Sequence, residues 1–96
     1  MGIVELIIDS KRLTNKEDIL KCLKLLKFYW LIDSEVEEAS IEIKNNTLIW
    51  HEGIFQYGKW EFGIFKNGTF YGIWENGIWE SGTFKGTWIS GVRPEL

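Results

Sequence analysis

The sequence predicts an α+β chain in which one helix packs on an antiparallel sheet and the sheet runs on into a glycine/aromatic β-repeat. Three observations carry this reading. A stretch free of Gly and Pro shows helical apolar spacing up to about residue 31, runs of β-branched residues flank it, and nine of the ten glycines fall beyond residue 50 at steps of five or four.

Ile3 to Ile8 (IVELII) is rich in β-branched residues and stops at Asp9-Ser10, which reads as a strand closed by a turn. Thr14-Asn15-Lys16-Glu17 has the Thr-x-x-Glu form of a capping box, in which two side chains satisfy free N–H groups at a helix start. Beyond it Ile19, Leu23, Leu26 and Trp30 form one stripe that should cover the sheet, while Glu17, Lys21 and Lys24 point the other way. Ala39 to Ile43 alternates, meets Asn45-Asn46 and gives way to the apolar Thr47 to Trp50, so this stretch reads as strand, tight turn, strand. Residues 1–49 are therefore expected to form a β-α-β-β half holding the only helix.

From Trp50 onward an internal repeat takes over. Gln56 to Thr69 (QYGKWEFGIFKNGT) aligns without a gap on Phe70 to Thr83 (FYGIWENGIWESGT), and a partial third copy starts at Phe84 (FKGTWISG), giving a period of fourteen residues. The register equates Trp60, Trp74 and Trp88, equates Phe65 with Trp79, and equates Gly58, Gly72 and Gly86. An earlier half copy, Ile49 to Gly53, places the start of the repeat inside the strand ending at Trp50. The chain is read as one domain, 1–96, with the repeat at 50–92 and a tail at 93–96.

Glycine is costly in a strand unless the backbone needs positive φ or a neighbour must come close. Asn67-Gly68 and Asn76-Gly77 suit two-residue type I′ hairpin turns, which would set Phe65 opposite Phe70 and Trp74 opposite Trp79. A hairpin meander is the leading geometry on that ground. The alternative is a narrow β-solenoid, with fourteen residues split five, five and four and a glycine at each corner; it requires parallel pairing at the repeat offset. In both, Trp50, Trp60, Phe65, Phe70, Trp74, Trp79, Phe84 and Trp88 form the repeat core, each ring burying roughly 150 to 250 Å².

The segments Phe70-Tyr71-Gly72-Ile73-Trp74-Glu75-Asn76-Gly77 and Phe84-Lys85-Gly86-Thr87-Trp88-Ile89-Ser90-Gly91 resemble the first half of a MORN repeat, aromatic-x-Gly-x-Trp-x-x-Gly. Gln56 to Gly63 matches apart from its first residue. The resemblance covers under half of the chain, on a shorter period and without the closing Gly-x-Gly. It implies β-hairpins stacked into an elongated sheet that serves protein association. The run of Gly-x-Trp-x-x-Gly units is also similar in texture to small phage-encoded proteins, which implies a binder that blocks a host factor.

Composition narrows the function classes. Cys22 is the only cysteine and His51 the only histidine, so neither an intramolecular disulfide nor a Cys/His metal site is expected, and a reducing cytoplasm is the expected compartment. No cofactor, metal or catalytic group is expected: no Gly-Lys-Ser/Thr loop opens a helix, and a Cys22/His51 nucleophile pair would need the two residues brought together in space. The first apolar run contains Glu5 and ends at Ile8, too short for a membrane span, and Leu6 stands where a myristoylation signal needs Ser or Thr. A net charge of −3 argues against an all-round nucleic-acid surface. Charge is segregated, however, with Lys11, Arg12, Lys16, Lys21, Lys24 and Lys27 ahead of an acidic run of Asp33, Glu35, Glu37, Glu38 and Glu42.

The aromatic row supplies the candidate binding surface. Tyr57, Phe62 and Tyr71 occupy the alternation phase opposite to Trp60, Phe70 and Trp74 and are expected to face outward. The expected function is protein–protein association without chemistry, with a host factor or a second copy as partner. The alternative is a small ligand, nucleotide or single-stranded nucleic acid stacked on those rings, with Lys21, Lys24 and Lys27 supplying charge.

Overall fold

A computed structural model describes residues 2–94. In chain order the elements are β1 (Ile3–Ile8), β2 (Lys11–Leu13), α1 (Lys16–Leu25), α2 (Tyr29–Ile32), β3 (Glu35–Lys44) and β4 (Thr47–Tyr57). Seven two-residue strands follow: β5 (Lys59–Trp60), β6 (Ile64–Phe65), β7 (Thr69–Phe70), β8 (Ile73–Trp74), β9 (Ile78–Trp79), β10 (Thr83–Phe84) and β11 (Thr87–Trp88). The expected α+β class, with a β-rich repeat region, is what the chain adopts.

Two tight turns form where the sequence places them. Asp9 and Ser10 take φ of 49° and 62°, and Asn45 and Asn46 take 52° and 58°, the paired positive values of a type I′ turn. The first of these joins β1 to a short strand, β2, that the sequence reading does not contain. β1 also lies parallel to β3, with Leu6 opposite Ile41, so the sheet is mixed rather than antiparallel. The connection through β2 and both helices is long enough for such a crossover.

The helix differs from expectation at both ends. Its N-cap is Asn15, not Thr14, because the Asn15 carboxamide oxygen accepts from the N–H groups of Glu17 and Asp18 at 2.9 and 3.2 Å. It stops at Leu25 instead of about residue 31. Lys27 adopts φ of 63°, and the N–H groups of Lys27 and Phe28 bond to the carbonyls of Lys24 and Leu23 at 3.1 and 2.9 Å, the closing pattern of a Schellman motif. This break turns Phe28 into the core and frees Tyr29–Ile32 to form a second helical turn. Ile19 and Leu23 of the expected stripe are buried, whereas Leu26 and Trp30 are half-buried.

The repeat is a coil and not a hairpin meander, and the stacked hairpins that the MORN resemblance implies are replaced with it. Its strands pair in parallel: Trp60 with Trp74, Trp74 with Trp88, Phe65 with Trp79 and Phe70 with Phe84, each at an offset of fourteen. Between the first two coils the offset is fifteen, Trp50 with Phe65 and Phe55 with Phe70, because Gln56 is one extra residue. A type I′ turn needs positive φ at both central residues. Gly68 and Gly77 have it, at 127° and 125°, but neither Asn67 nor Asn76 is among the residues with positive φ. At these corners one positive-φ glycine bends the chain without reversing it, the corners at Gly72 and Gly86 turn without positive φ, and three corners close each coil.

Each coil sends three rings inward: Trp50, Phe55 and Trp60, then Phe65, Phe70 and Trp74, then Trp79, Phe84 and Trp88. Rings one above another are nearly parallel, with Trp60 and Trp74 5.0 Å apart at 8°, Trp74 and Trp88 5.3 Å apart at 10°, and Phe65 and Trp79 4.3 Å apart at 8°. Rings around a corner meet edge to face. Phe65 and Phe70 do so at 5.9 Å and 88°, and Trp74 and Trp79 at 5.7 Å and 82°, so the cross-strand pairs expected from hairpins are corner contacts instead.

The N-terminal half closes one end of this stack. β3 runs antiparallel along β4 and covers two sides of the first coil, and Trp30 of α2 meets Trp60 edge-on at 5.1 Å on the third. At the other end the Arg93 guanidinium lies 4.8 Å from the Trp88 ring centre. Of the expected repeat core, Trp50, Trp60, Phe65, Phe70, Trp74 and Trp79 are buried, and Phe84 and Trp88 in the last coil are half-buried. Arg93 and Pro94 of the expected tail are described; Met1, Glu95 and Leu96 lie outside the described residues.

Candidate binding surface

Each side of the coil reads outward β-branched or basic residue, inward ring, then a corner. At the corner ahead of Gly58 and Gly72 the register stacks Tyr57 and Tyr71 on the outside, 70% and 45% exposed. The floor between them is bare backbone. A Cβ on Gly72 would lie 2.6 Å from the Gly58 carbonyl oxygen and 2.8 Å from the Phe55 ring, so glycine is what lets adjacent coils approach there. The result is an open cavity of about 370 Å³ lined by Tyr57, Tyr71, Gly58, Gly72, Lys59, Ile73 and Thr87. Ile73 is itself exposed and extends the apolar surface.

Phe62 is also exposed, as expected, but it stands on the following corner, where its repeat counterparts are Asn76 and Ser90. No aromatic column forms around it. Lys21 and Lys24 project from α1 and Lys27 follows its end, all exposed, and none of the three lines the tyrosine cavity. The cation that does is Lys59, whose Nζ lies 3.8 Å from the Glu75 carboxylate of the next coil. Such an exposed pair adds little to stability, about 0 to 1 kcal/mol. Lys59 and Ile73 were missed as surface residues. Their signal was the fourteen-residue register itself, which sets Lys59, Ile73 and Thr87 in one column beside the glycines.

The remaining ionisable groups are spread over other faces. Glu35, Glu37 and Glu38 of the acidic run are exposed on β3, where Glu38 takes φ of 50° at an irregularity in the β3–β4 pairing. Glu5 pairs with Arg12 and accepts from the Ser40 hydroxyl at 2.5 Å; the Arg12 contact first and the Ser40 bond second hold its carboxyl below the usual range. His51 Nε2 lies 2.9 Å from Glu42 Oε1. Burial, with a smaller contribution from Asp9, pushes the Cys22 thiol up, so it is protonated at neutral pH. Cys22 packs against the core while the His51 ring is engaged by Glu42, and the two form no nucleophile pair. Among the described residues no group of three or more His, Cys, Asp and Glu side chains is placed to hold a metal ion, and no helix is long and apolar enough to cross a membrane. The chain matches no protein-family model, no curated protein and no solved structure.

Proposed function

We propose that this chain is a non-enzymatic protein-association module whose contact surface centres on the Tyr57–Tyr71 corner. One observation carries the reading: two exposed tyrosines and the exposed Ile73 line one open cavity over the Gly58 and Gly72 backbone. Tyrosine supplies large amphipathic contact area at low entropic cost, and rings of this kind are enriched in protein interfaces. The Gly-x-Trp-x-x-Gly texture shared with small phage-encoded proteins supports association with a host protein, and the lone cysteine supports a reducing compartment such as the cytoplasm. The protonated thiol of Cys22 and its separation from His51 favour binding over covalent chemistry.

The reading is tested by affinity purification from lysate of the encoding organism, comparing the wild-type chain with a Tyr57→Ser/Tyr71→Ser double variant. A partner held at one-to-one stoichiometry, resistant to added salt and lost with the double variant, is the expected result. Capture that is unchanged in the variant would reject this surface. Retention of nucleic acid that falls steeply with salt would support the stacking alternative instead.

A further inference from the structure

The corner column that carries the two tyrosines has a charged residue on either side of them. Tyr57 is paired with Glu35 of β3, and the fourteen-residue offset that stacks Tyr71 on Tyr57 stacks Lys85 on Tyr71. All four side chains are exposed. Neighbouring strands lie about 4.8 Å apart, so this row of acid, ring, ring and base spans about 14 Å along the coil. Its ends carry free charge and its middle is neutral. Among the described residues neither Glu35 nor Lys85 takes part in an ion pair, whereas Lys59, beside the rings, is held by Glu75 at 3.8 Å. Glu37 strengthens the acidic end, where Glu35, Glu37, Gln56 and Tyr57 help to line a second open cavity of about 670 Å³. Such a row is its own complement when reversed.

We propose that a second copy of this chain occupies this surface, with its coil antiparallel to the first and related to it by a two-fold axis that crosses the row between the levels of Tyr57 and Tyr71. The proposal rests on the protein-association reading and names the partner of the same surface. Under that symmetry every contact occurs twice: Glu35 of each copy faces Lys85 of the other, and Tyr57 of each faces Tyr71 of the other. Lys59 faces Ile73, and because Glu75 holds its ammonium, its methylene stem can lie on the apolar side chain without leaving a charge unpaired. A parallel arrangement would set Glu35 against Glu35 and Lys85 against Lys85, so like charge at both ends selects the antiparallel one. The rings supply the buried area and the end charges supply the direction. One row and its flank make a small interface, so a dissociation constant in the micromolar range is expected. The acidic end also turns a phosphate backbone away, which favours this occupant over a nucleic acid.

The test is sedimentation velocity of the full chain at low ionic strength, where exposed charges are least screened, over concentrations that span the micromolar range. Wild type is compared with Glu35→Lys, with Lys85→Glu and with the Glu35→Lys/Lys85→Glu swap, each first checked for wild-type circular dichroism. The expected result is a concentration-dependent dimer in the wild type, at least about tenfold weaker in either single variant and restored in the swap, because each single reversal creates two like-charge contacts. An equimolar mixture of the two single variants tests the antiparallel direction. One variant carries cations at both ends of its row and the other anions, so the two should form a heterodimer tighter than the self-association of either. A monomer at every concentration, single variants that dimerise like the wild type, or a mixture that stays monomeric would overturn the proposal. A monomeric chain that still captures a protein from lysate through Tyr57 and Tyr71 overturns the second copy and leaves the association reading standing. A monomeric chain that captures nothing overturns both.

Discussion

At Gly77 the backbone takes φ of 125°, and a Cβ built there would lie 2.4 Å from the Gly63 carbonyl oxygen and 3.2 Å from the Trp60 indole nitrogen. Two penalties therefore meet at one residue. The conformation costs an L side chain about 1 to 3 kcal/mol, and the methyl group would also push apart two coils joined by the Ile78 N–H to Gly63 carbonyl bond of 2.8 Å. Gly77→Ala is expected to lower stability by about 2 to 4 kcal/mol in urea unfolding followed by circular dichroism, whereas Asn76→Ala on the exposed side of the same corner should stay within about 0.5 kcal/mol. Equal midpoints for the two variants would show that the corners are not set by glycine. The same geometry recurs at Gly68 over Trp50 and at Gly91 over Trp74, so corner glycines also roof the indole nitrogens.

Those nitrogens expose a conflict inside the column of rings. Nε1 of Trp50, Trp60 and Trp74 is buried without a hydrogen-bond partner, and an unsatisfied buried donor costs about 1 to 3 kcal/mol. In the neighbouring column Phe65 already stacks between Trp50 and Trp79, so a phenyl ring can sit between two indoles in this coil. Trp74→Phe should therefore cost less than about 1.5 kcal/mol, while Trp74→Ala, which opens a cavity between two indoles, should cost about 3 to 5 kcal/mol. Denaturant midpoints of the two variants check this, and similar losses would mean that shape rather than area holds the column. The columns were legible in the sequence, since a period of fourteen aligned the rings without any geometry. Their connection was not. Asn-Gly serves hairpin turns and coil corners alike, and only the φ of the asparagine, which depends on the coil beneath, separates the two. The break after Leu25 was equally hidden, because Lys27 takes a left-handed conformation usually left to glycine, offset by the burial of Phe28.

In the molecule as a whole, stability should behave as a sum over coils, because each coil touches only the one before and the one after. Deleting residues 64–77 joins Gly63 to Ile78 and brings Trp79 into the place of Phe65, so the shortened chain should unfold cooperatively at a lower urea midpoint. Deleting residues 64–73 leaves the remaining rings out of register and should abolish folding. Circular dichroism and urea titration of both distinguish register from mere length, and survival of the second deletion would refute a fixed coil. The binding surface was half legible at this scale. Alternation placed Tyr57 and Tyr71 outside, but their meeting with Lys59 and Ile73 in one cavity arises only when fourteen residues of chain make a full turn.

The cover that β3 and Trp30 give the first coil has a temporal consequence. The hairpin of β3 and β4 precedes every ring it supports from Trp60 onward, so synthesis advances in the direction in which the stack rises. Each nascent turn of chain emerges from the ribosome after its floor has been laid, and assembly can keep pace with translation without a search among alternative pairings.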